Sequence, residues 1–237
     1  GKSSGFYSDM SITSFYGSHI INCAGNGGAL AINDDKVMEK AKLLRSWGRS
    51  SSLFDDNSEK IENRFNIKIE GIRYDKKFVF EQIGHNVEPS EIGAAFGLIQ
   101  LKKLKNNIKN RERNFKIHNK FFKKYEKFFI LPKQLPESKS GWLAYPLTIK
   151  KNPFFSRTEF QIFLEKRNIQ TRVVFTGNIL KQPGFKKIKK KVNINGYPEA
   201  DKVMRYGVLL ACHHGLTNKM TKHIHKTVED FIKSKII

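Results

Sequence analysis

Cysteine is nearly absent. The two in 237 residues, Cys23 and Cys212, are too few for a disulfide framework and match no metal-ligand spacing. A reducing, cytoplasmic setting is the simplest reading. No apolar run approaches the roughly 20 residues needed to span a bilayer, so no membrane partner is expected. The opening Gly1-Lys2-Ser3-Ser4-Gly5 is followed by no apolar core of the signal-peptide kind. Acidic residues are scarce: 22 Asp and Glu stand against 44 Lys and Arg, a formal net charge of +22. So basic a chain raises the question of nucleic acid. Yet the lysines are dispersed, as in Lys102-Lys103, Lys123-Lys124, Lys150-Lys151 and the stretch Lys186 to Lys191, and no nucleic-acid recognition motif is present. Dispersed charge reads as a solvated surface, one that would also attract phosphate-bearing small molecules.

Apolar residues make up 39% of the chain and include 19 Phe, enough to build a core in one large domain or two modest ones. Residues 6–33 read as short strands and turns, with Ile20-Ile21 and Ala29 to Ile32 as buried strands. Asn33-Asp34-Asp35 offers helix caps, and Val37, Ala41 and Leu44 carry a helix over 35–46. Trp47 to Phe80 is polar and reads as long loops with short elements. From Pro89-Ser90-Glu91 a helical period runs to about Lys127, and at that length a kink or break is expected near Lys105 to Asn110. Pro132 to Ser140 is a connector and Trp142 to Ile149 a strand. Ser156-Arg157-Thr158-Glu159 is a capping box, with Phe155 and Phe160 placed as a hydrophobic staple, and starts a helix to about Lys166. Thr171 to Phe175 reads as a strand and Lys181 to Gly196 as a surface loop. Glu199 to Met204 reads as a short helix and Val208 to Cys212 as a strand. Thr217 caps a last helix to about Lys233. This order describes a small α/β domain.

Five polar residues stand out. Ser14 and His19 bracket Ser14-Phe15-Tyr16-Gly17-Ser18-His19, upstream of Gly25-Asn26-Gly27-Gly28-Ala29. A histidine moves protons near neutral pH, and a hydroxyl is a suitable small donor to phosphate. The plainer reading is a structural histidine, a strand-end serine and a tight glycine turn. Asn86, in Gly84-His85-Asn86, precedes Ala94-Ala95-Phe96-Gly97-Leu98-Ile99-Gln100-Leu101; its plainer reading is an Asx turn, and the small residues suit close helix packing. Arg172 and Asn178 lie in Thr171-Arg172-Val173-Val174-Phe175-Thr176-Gly177-Asn178, followed by Gln182-Pro183. A guanidinium fork suits carboxylate or phosphate, and the plainer reading is a surface ion pair. His213-His214, His223 and His225 lack a completing carboxylate or cysteine, so no metal site is expected.

The Ser14 to Ala29 and Gly84 to Leu101 blocks resemble the DegT/StrS family of sugar aminotransferases, pyridoxal phosphate enzymes of fold type I, and the resemblance extends from Gly5 to the final helix. It implies an α/β fold of the aspartate aminotransferase kind. Residues 1–110 would be the C-terminal part of the cofactor-binding large domain, and residues 111–237 the small α/β domain. The chain opens in mid-motif, so it is expected to be the C-terminal part of a longer protein, exposing apolar edges and inactive by itself. In the family the position of His19 is a lysine that holds the cofactor as a Schiff base, which an imidazole cannot do. The exchange resembles a branch of nucleotide-sugar 3-dehydratases in deoxysugar and polysaccharide biosynthesis, as does the Arg172 to Asn178 segment.

The resemblance implies a cofactor, pyridoxal 5′-phosphate used as pyridoxamine 5′-phosphate, that is held non-covalently. It also implies that Ser14 donates to the cofactor phosphate and that Asn86 reaches the phosphate of the neighbouring subunit in a homodimer. By the same resemblance, His19 is the general base for loss of the 3-hydroxyl of a nucleotide-linked 4-keto-6-deoxyhexose, with Arg172 and Asn178 on the substrate side. No cysteine lies between Cys23 and Cys212, so no iron–sulfur cluster is expected, and glutamate is the expected amino donor. The motif's usual acidic residue is Asn26 here. A conventional sugar aminotransferase, a non-catalytic relative and a basic nucleic-acid-binding domain stand as alternatives.

Overall fold

A computed structural model describes residues 1–236. The chain divides into two compact units, Gly1–Lys102 and Lys103–Ile237. In the first, β1 (Met10–Ser14) and β2 (Gly28–Ile32) form an antiparallel ribbon with Ser14 opposite Gly28 and Met10 opposite Ile32. Helix α1 (Asp35–Arg45) follows, its first turn capped by Asp34, whose carboxylate accepts from the Val37 N–H at 2.9 Å. Between Trp47 and Phe80 lie α2 (Ile61–Arg64) and a hairpin of β3 (Ile67–Ile69) and β4 (Ile72–Tyr74). Then α3 runs unbroken from Glu91 to Phe122.

The second unit continues with β5 (Phe129–Ile130), β6 (Ala144–Ile149), α4 (Arg157–Glu165), β7 (Arg172–Val173), α5 (Pro198–Tyr206), β8 (Gly207–Ala211) and α6 (Asn218–Ile236). Its antiparallel sheet has the order β5-β6-β8-β7. Alternate residues of β6, Tyr145, Leu147 and Ile149, are buried as the period of a strand requires. Aromatic rings fill the space between sheet and helices: Phe231 of α6 meets Phe155, Phe160 and Phe163 at 5.0–5.3 Å between centroids. The capping box forms as its spacing requires, and Lys235 also donates to Glu159 at 2.6 Å. The Lys235 ammonium, then the Ser156 amide and hydroxyl, hold the Glu159 carboxyl down at about 2.

The two units differ in their cores. Among the described residues, Leu43 is the only buried large apolar side chain before Phe115. Ile12, Leu30, Ile83, Ile92 and Leu98 of the first unit are all at least half exposed. Ala29 to Ile32 is therefore a strand, but not the buried one its composition suggests: Ala29, Leu30 and Ala31 are exposed and Ile32 is half-buried. Ile20-Ile21 is a bend, not a strand.

Three further expectations are corrected. The break near Lys105 to Asn110 is absent. The apolar period lapses there because the inward face turns polar: Asn107, Arg111, Asn114 and His118 recur at helical spacing and are all buried. Neither glycine nor proline falls between Leu98 and Leu131, so nothing interrupts the backbone ladder. The strand expected from Trp142 starts instead at Ala144. Trp142 sits at φ 25°, stacked on Phe115 at 3.9 Å, while Arg111 Nη1 donates to the carbonyls of Trp142 and Leu143 at 3.1 Å. The strand expected over Thr171 to Phe175 stops at Val173, since Phe175 has φ 47°.

Candidate functional site

Ser14 ends β1, where its pairing with Gly28 closes the ribbon. The chain then loops back on itself. Phe15 N–H donates to Gly27 O at 2.9 Å, Gly17 N–H to Gly25 O at 3.0 Å and Cys23 N–H to Phe15 O at 3.0 Å. His19 lies on this loop, exposed, with its N–H donating to Tyr16 O at 2.9 Å and the Tyr16 ring edge-on at 6.2 Å. Ser14 Oγ accepts from Tyr16 N–H at 3.3 Å, which leaves its hydroxyl hydrogen free to donate outward. One short loop thus presents an exposed hydroxyl and an exposed imidazole. No lysine or arginine falls between Lys2 and Lys36, so no amine on this loop can take a cofactor aldehyde.

The loop rests on the first turns of α3. A Cβ at Gly97 would stand 2.5 Å from Cys23 Sγ, and one at Gly93 3.0 Å from Cys23 O. Only glycine lets Cys23 sit this close to the helix. Sequence reasoning placed Gly97 in packing but missed its partner, because Cys23 lies 74 residues away in the chain and nothing local marks the contact.

Asn86 leads into the same helix. It is exposed and forms an isolated antiparallel bridge with Ser46 at the end of α1. Around it, Trp47 N–H donates to His85 O at 2.8 Å, His85 N–H to Leu44 O at 2.7 Å and Val87 N–H to Arg45 O at 3.1 Å. A Cβ at Gly48 or Gly84 would overlap the opposing backbone, so these two glycines allow the crossing. Beside it the Arg49 guanidinium lies over the Trp47 ring at 4.3 Å. The sequence pattern did not single out Gly48 or Arg49.

Arg172 and Asn178 lie in the second unit. Arg172 is exposed on the edge strand β7, opposite Leu209. Asn178 is buried and engaged at both ends of its amide: Oδ1 accepts from Leu180 N–H at 3.1 Å, and Nδ2 donates to Asp201 Oδ1 at 2.7 Å. The other Asp201 oxygen pairs with Lys181 at 2.7 Å. Lys181, then Asn178, hold the Asp201 carboxyl below the usual range. Asn178 thereby ties the turn after β7 to α5.

The histidines divide. His118 is fully buried and shares a 3.0 Å nitrogen-to-nitrogen contact with His225, while His213 and His214 are exposed. Among the described residues no group of three or more His, Cys, Asp or Glu is placed to hold a metal ion, and no helix is long and apolar enough to cross a membrane.

The profile of the DegT/DnrJ/EryC1/StrS aminotransferase family matches residues 1–229. The lipopolysaccharide biosynthesis protein RfbH of Salmonella typhimurium is 27% identical over 98% of this chain and 53% of its own length. A dTDP-4-dehydro-2,6-dideoxy-D-glucose 3-dehydratase of Saccharopolyspora spinosa is 26% identical over 98% of this chain and 50% of its own. The chain thus spans about half the length of these relatives. Among solved structures, the E. coli GDP-4-keto-6-deoxy-D-mannose-3-dehydratase with bound hydrated PLP superposes with a TM-score of 0.81 at 23% identity, covering 95% of this chain and 56% of that one. Sugar-linked transaminases match as well. The α/β fold is that of these pyridoxal phosphate enzymes, and the cofactor expected for the chain is the one bound in two solved structures of this fold.

Proposed function

This chain belongs to the DegT/DnrJ/EryC1/StrS aminotransferase family, and we propose that it is part of a 3-dehydratase acting on a nucleotide-linked 4-keto-6-deoxyhexose. One observation carries the reading: a histidine stands five residues after Ser14 on a glycine-rich loop that holds no lysine. When bound, pyridoxamine phosphate supplies an amine for the 4-keto group and a ring that accepts an electron pair. Ser14 would hold its phosphate through the free hydroxyl hydrogen, and Asn86 would reach that of a second subunit of a homodimer through its amide N–H. His19 acts first as the base that takes up a proton. Its conjugate acid then protonates the 3-hydroxyl, which departs as water. Residues 1–110 serve as the C-terminal part of the cofactor domain and 111–237 as the small domain.

On the substrate side, Arg172 offers an exposed guanidinium to the diphosphate. Asn178, whose amide is engaged at both ends, acts by holding the turn beside Arg172. Glutamate would be the amino donor.

The test is mass spectrometry of the intact protein with pyridoxal phosphate, glutamate and a panel of nucleotide-linked 4-keto-6-deoxyhexoses. A product lighter by one oxygen atom, lost with His19→Asn, is expected. A product with oxygen replaced by an amine would make the protein an aminotransferase, the reading favoured by its transaminase relatives. No product with any sugar would favour a non-catalytic relative.

A further inference from the structure

The most concentrated charge on the molecule lies outside the site. Lys186, Lys187, Lys189, Lys190 and Lys191 fall within six residues, and no acidic residue occurs from Gln182 to Pro198. All five are exposed. Apolar side chains interleave with them and are also turned to solvent: Ile188 is 46% exposed, Val192 53% and Ile194 98%.

The segment is a structured loop. Lys190 Nζ donates to the carbonyls of Phe185 at 2.9 Å and Lys186 at 3.3 Å, folding the run on itself. Tyr197 closes the far side, its hydroxyl accepting from Asn193 N–H at 3.2 Å. At the near side the Lys181–Asp201 pair anchors the loop to α5. Ammonium groups and exposed aliphatic side chains are therefore presented together from one anchored loop.

We propose that the loop 182–197 docks on an anionic lipid bilayer, its lysines facing the headgroups and Ile188, Val192 and Ile194 entering the headgroup–acyl boundary. Polybasic clusters of this size gain roughly fivefold in partition for each lysine at an anionic surface, and apolar insertion adds to that. The composition argues against nucleic acid as the occupant: the cluster has no arginine, and its most exposed apolar residues are aliphatic, Phe185 and Tyr197 being the least exposed at 39% and 38%, whereas single strands are held by stacking on aromatic rings. A peripheral contact of this kind departs from the expectation, drawn from the absence of a spanning segment, that the protein has no membrane partner.

The test is co-sedimentation of the full chain with vesicles of phosphatidylcholine alone and with 30 mol% phosphatidylserine, at about 0.1 M salt, where screening is moderate. Binding to the anionic vesicles only is expected. Changing the five lysines to Gln should weaken it on the order of a hundredfold or more. A matched variant with Lys36, Lys40, Lys42, Lys219 and Lys222 changed to Gln, which alters net charge equally, should keep most of it. Ile188→Ser with Ile194→Ser, which leaves every charge in place, should weaken it several-fold. Circular dichroism of each variant checks that the fold is retained. Equal loss in the two lysine variants would overturn the proposal in favour of nonspecific attraction. Unchanged binding by the loop variant would also overturn it, as would retention on an RNA oligonucleotide without retention on vesicles.

Discussion

His118 Nδ1 stands 3.0 Å from His225 Nε2, and the other ring nitrogen of His118 stands 3.0 Å from the Ala211 carbonyl oxygen. The carbonyl can only accept, so His118 carries its hydrogen on Nε2, and His225 must then be the donor to His118 Nδ1. The arrangement needs His118 neutral. A proton added to His118 would set two N–H groups against each other inside the core. Burial pushes His118 down to about 4, against the lesser opposing effect of the Ala211 carbonyl. Burial, then His118 and Lys124, take His225 down to about 4 as well.

The unfolded chain takes up these protons nearer 6.5, so it binds more protons than the fold between about pH 6.5 and 4. Stability of the second unit should be full above 6.5 and fall as pH drops toward 4, by on the order of 3 kcal/mol for His118 alone. Urea unfolding at pH 7, 5.5 and 4.5 measures this slope. His118→Leu should cost about 1–3 kcal/mol at pH 7 by orphaning the Ala211 carbonyl, and should flatten the slope. An equally steep decline in that variant would mean that other groups cause it.

Gly97 and Cys23 give a second prediction. Gly97→Ala puts a methyl group against Cys23 Sγ and should destabilise by about 1–3 kcal/mol through overpacking. It should also loosen the loop that carries His19. Cys23 is half-buried and Cys212 fully buried, so the faster of two thiol-labelling phases reports Cys23. That phase should speed up in Gly97→Ala, and Cys23→Ala should relieve part of the lost stability. No recovery in the double variant would show that the strain lies elsewhere.

The proposed role of His19 gives a third. His19→Lys restores an amine to the loop, so the intact protein incubated with pyridoxal phosphate should gain a borohydride-fixed cofactor mass on the 14–28 peptide. The unaltered protein should gain none there. A borohydride-fixed cofactor on any other peptide of the unaltered protein would show that a lysine elsewhere holds the cofactor and would remove the argument for His19.

A fourth concerns the cores. Amides of β6 and β8 are bonded within a closed aromatic core, while those of β1 and β2 lie in a ribbon with exposed faces. Hydrogen exchange of the 237-residue chain should therefore be slowest in β6 and β8 and orders of magnitude faster in β1 and β2. Uniform protection would mean that the first unit's apolar surface is covered, as by a second chain.

Local chemistry made much of this protein legible. Asp34, Ser156 and Thr217 each accept from a backbone N–H of the turn they cap, because capping is settled within four residues. The block from Ser14 to Ala29 was readable as one loop because its turn-forming glycines and backbone pairings lie at nearby positions. What misled was an assumption about surroundings. Ala29 to Ile32 has the composition of a covered strand, yet it is largely exposed. The stretch from Asn107 to His118 reads as a failing helix only if an inward face must be apolar. Here Arg111 donates to the Trp142 carbonyl, Asn114 to the His213 carbonyl and His118 pairs with the Ala211 carbonyl, so a polar face holds the helix as an apolar one would.

Taken alone, the sequence determined the caps, the strand and helix periods, the abundance of basic residues and the presence of a histidine on a stretch that holds no lysine. All are properties of neighbours along the chain, where spacing decides the chemistry. The tertiary structure alone decided that Cys23 lies on Gly97, that Asn178 has spent its amide on Leu180 and Asp201, and that two histidines meet as neutral partners. Each joins groups whose contact depends on how distant segments pack, and no local pattern of side chains carries that information.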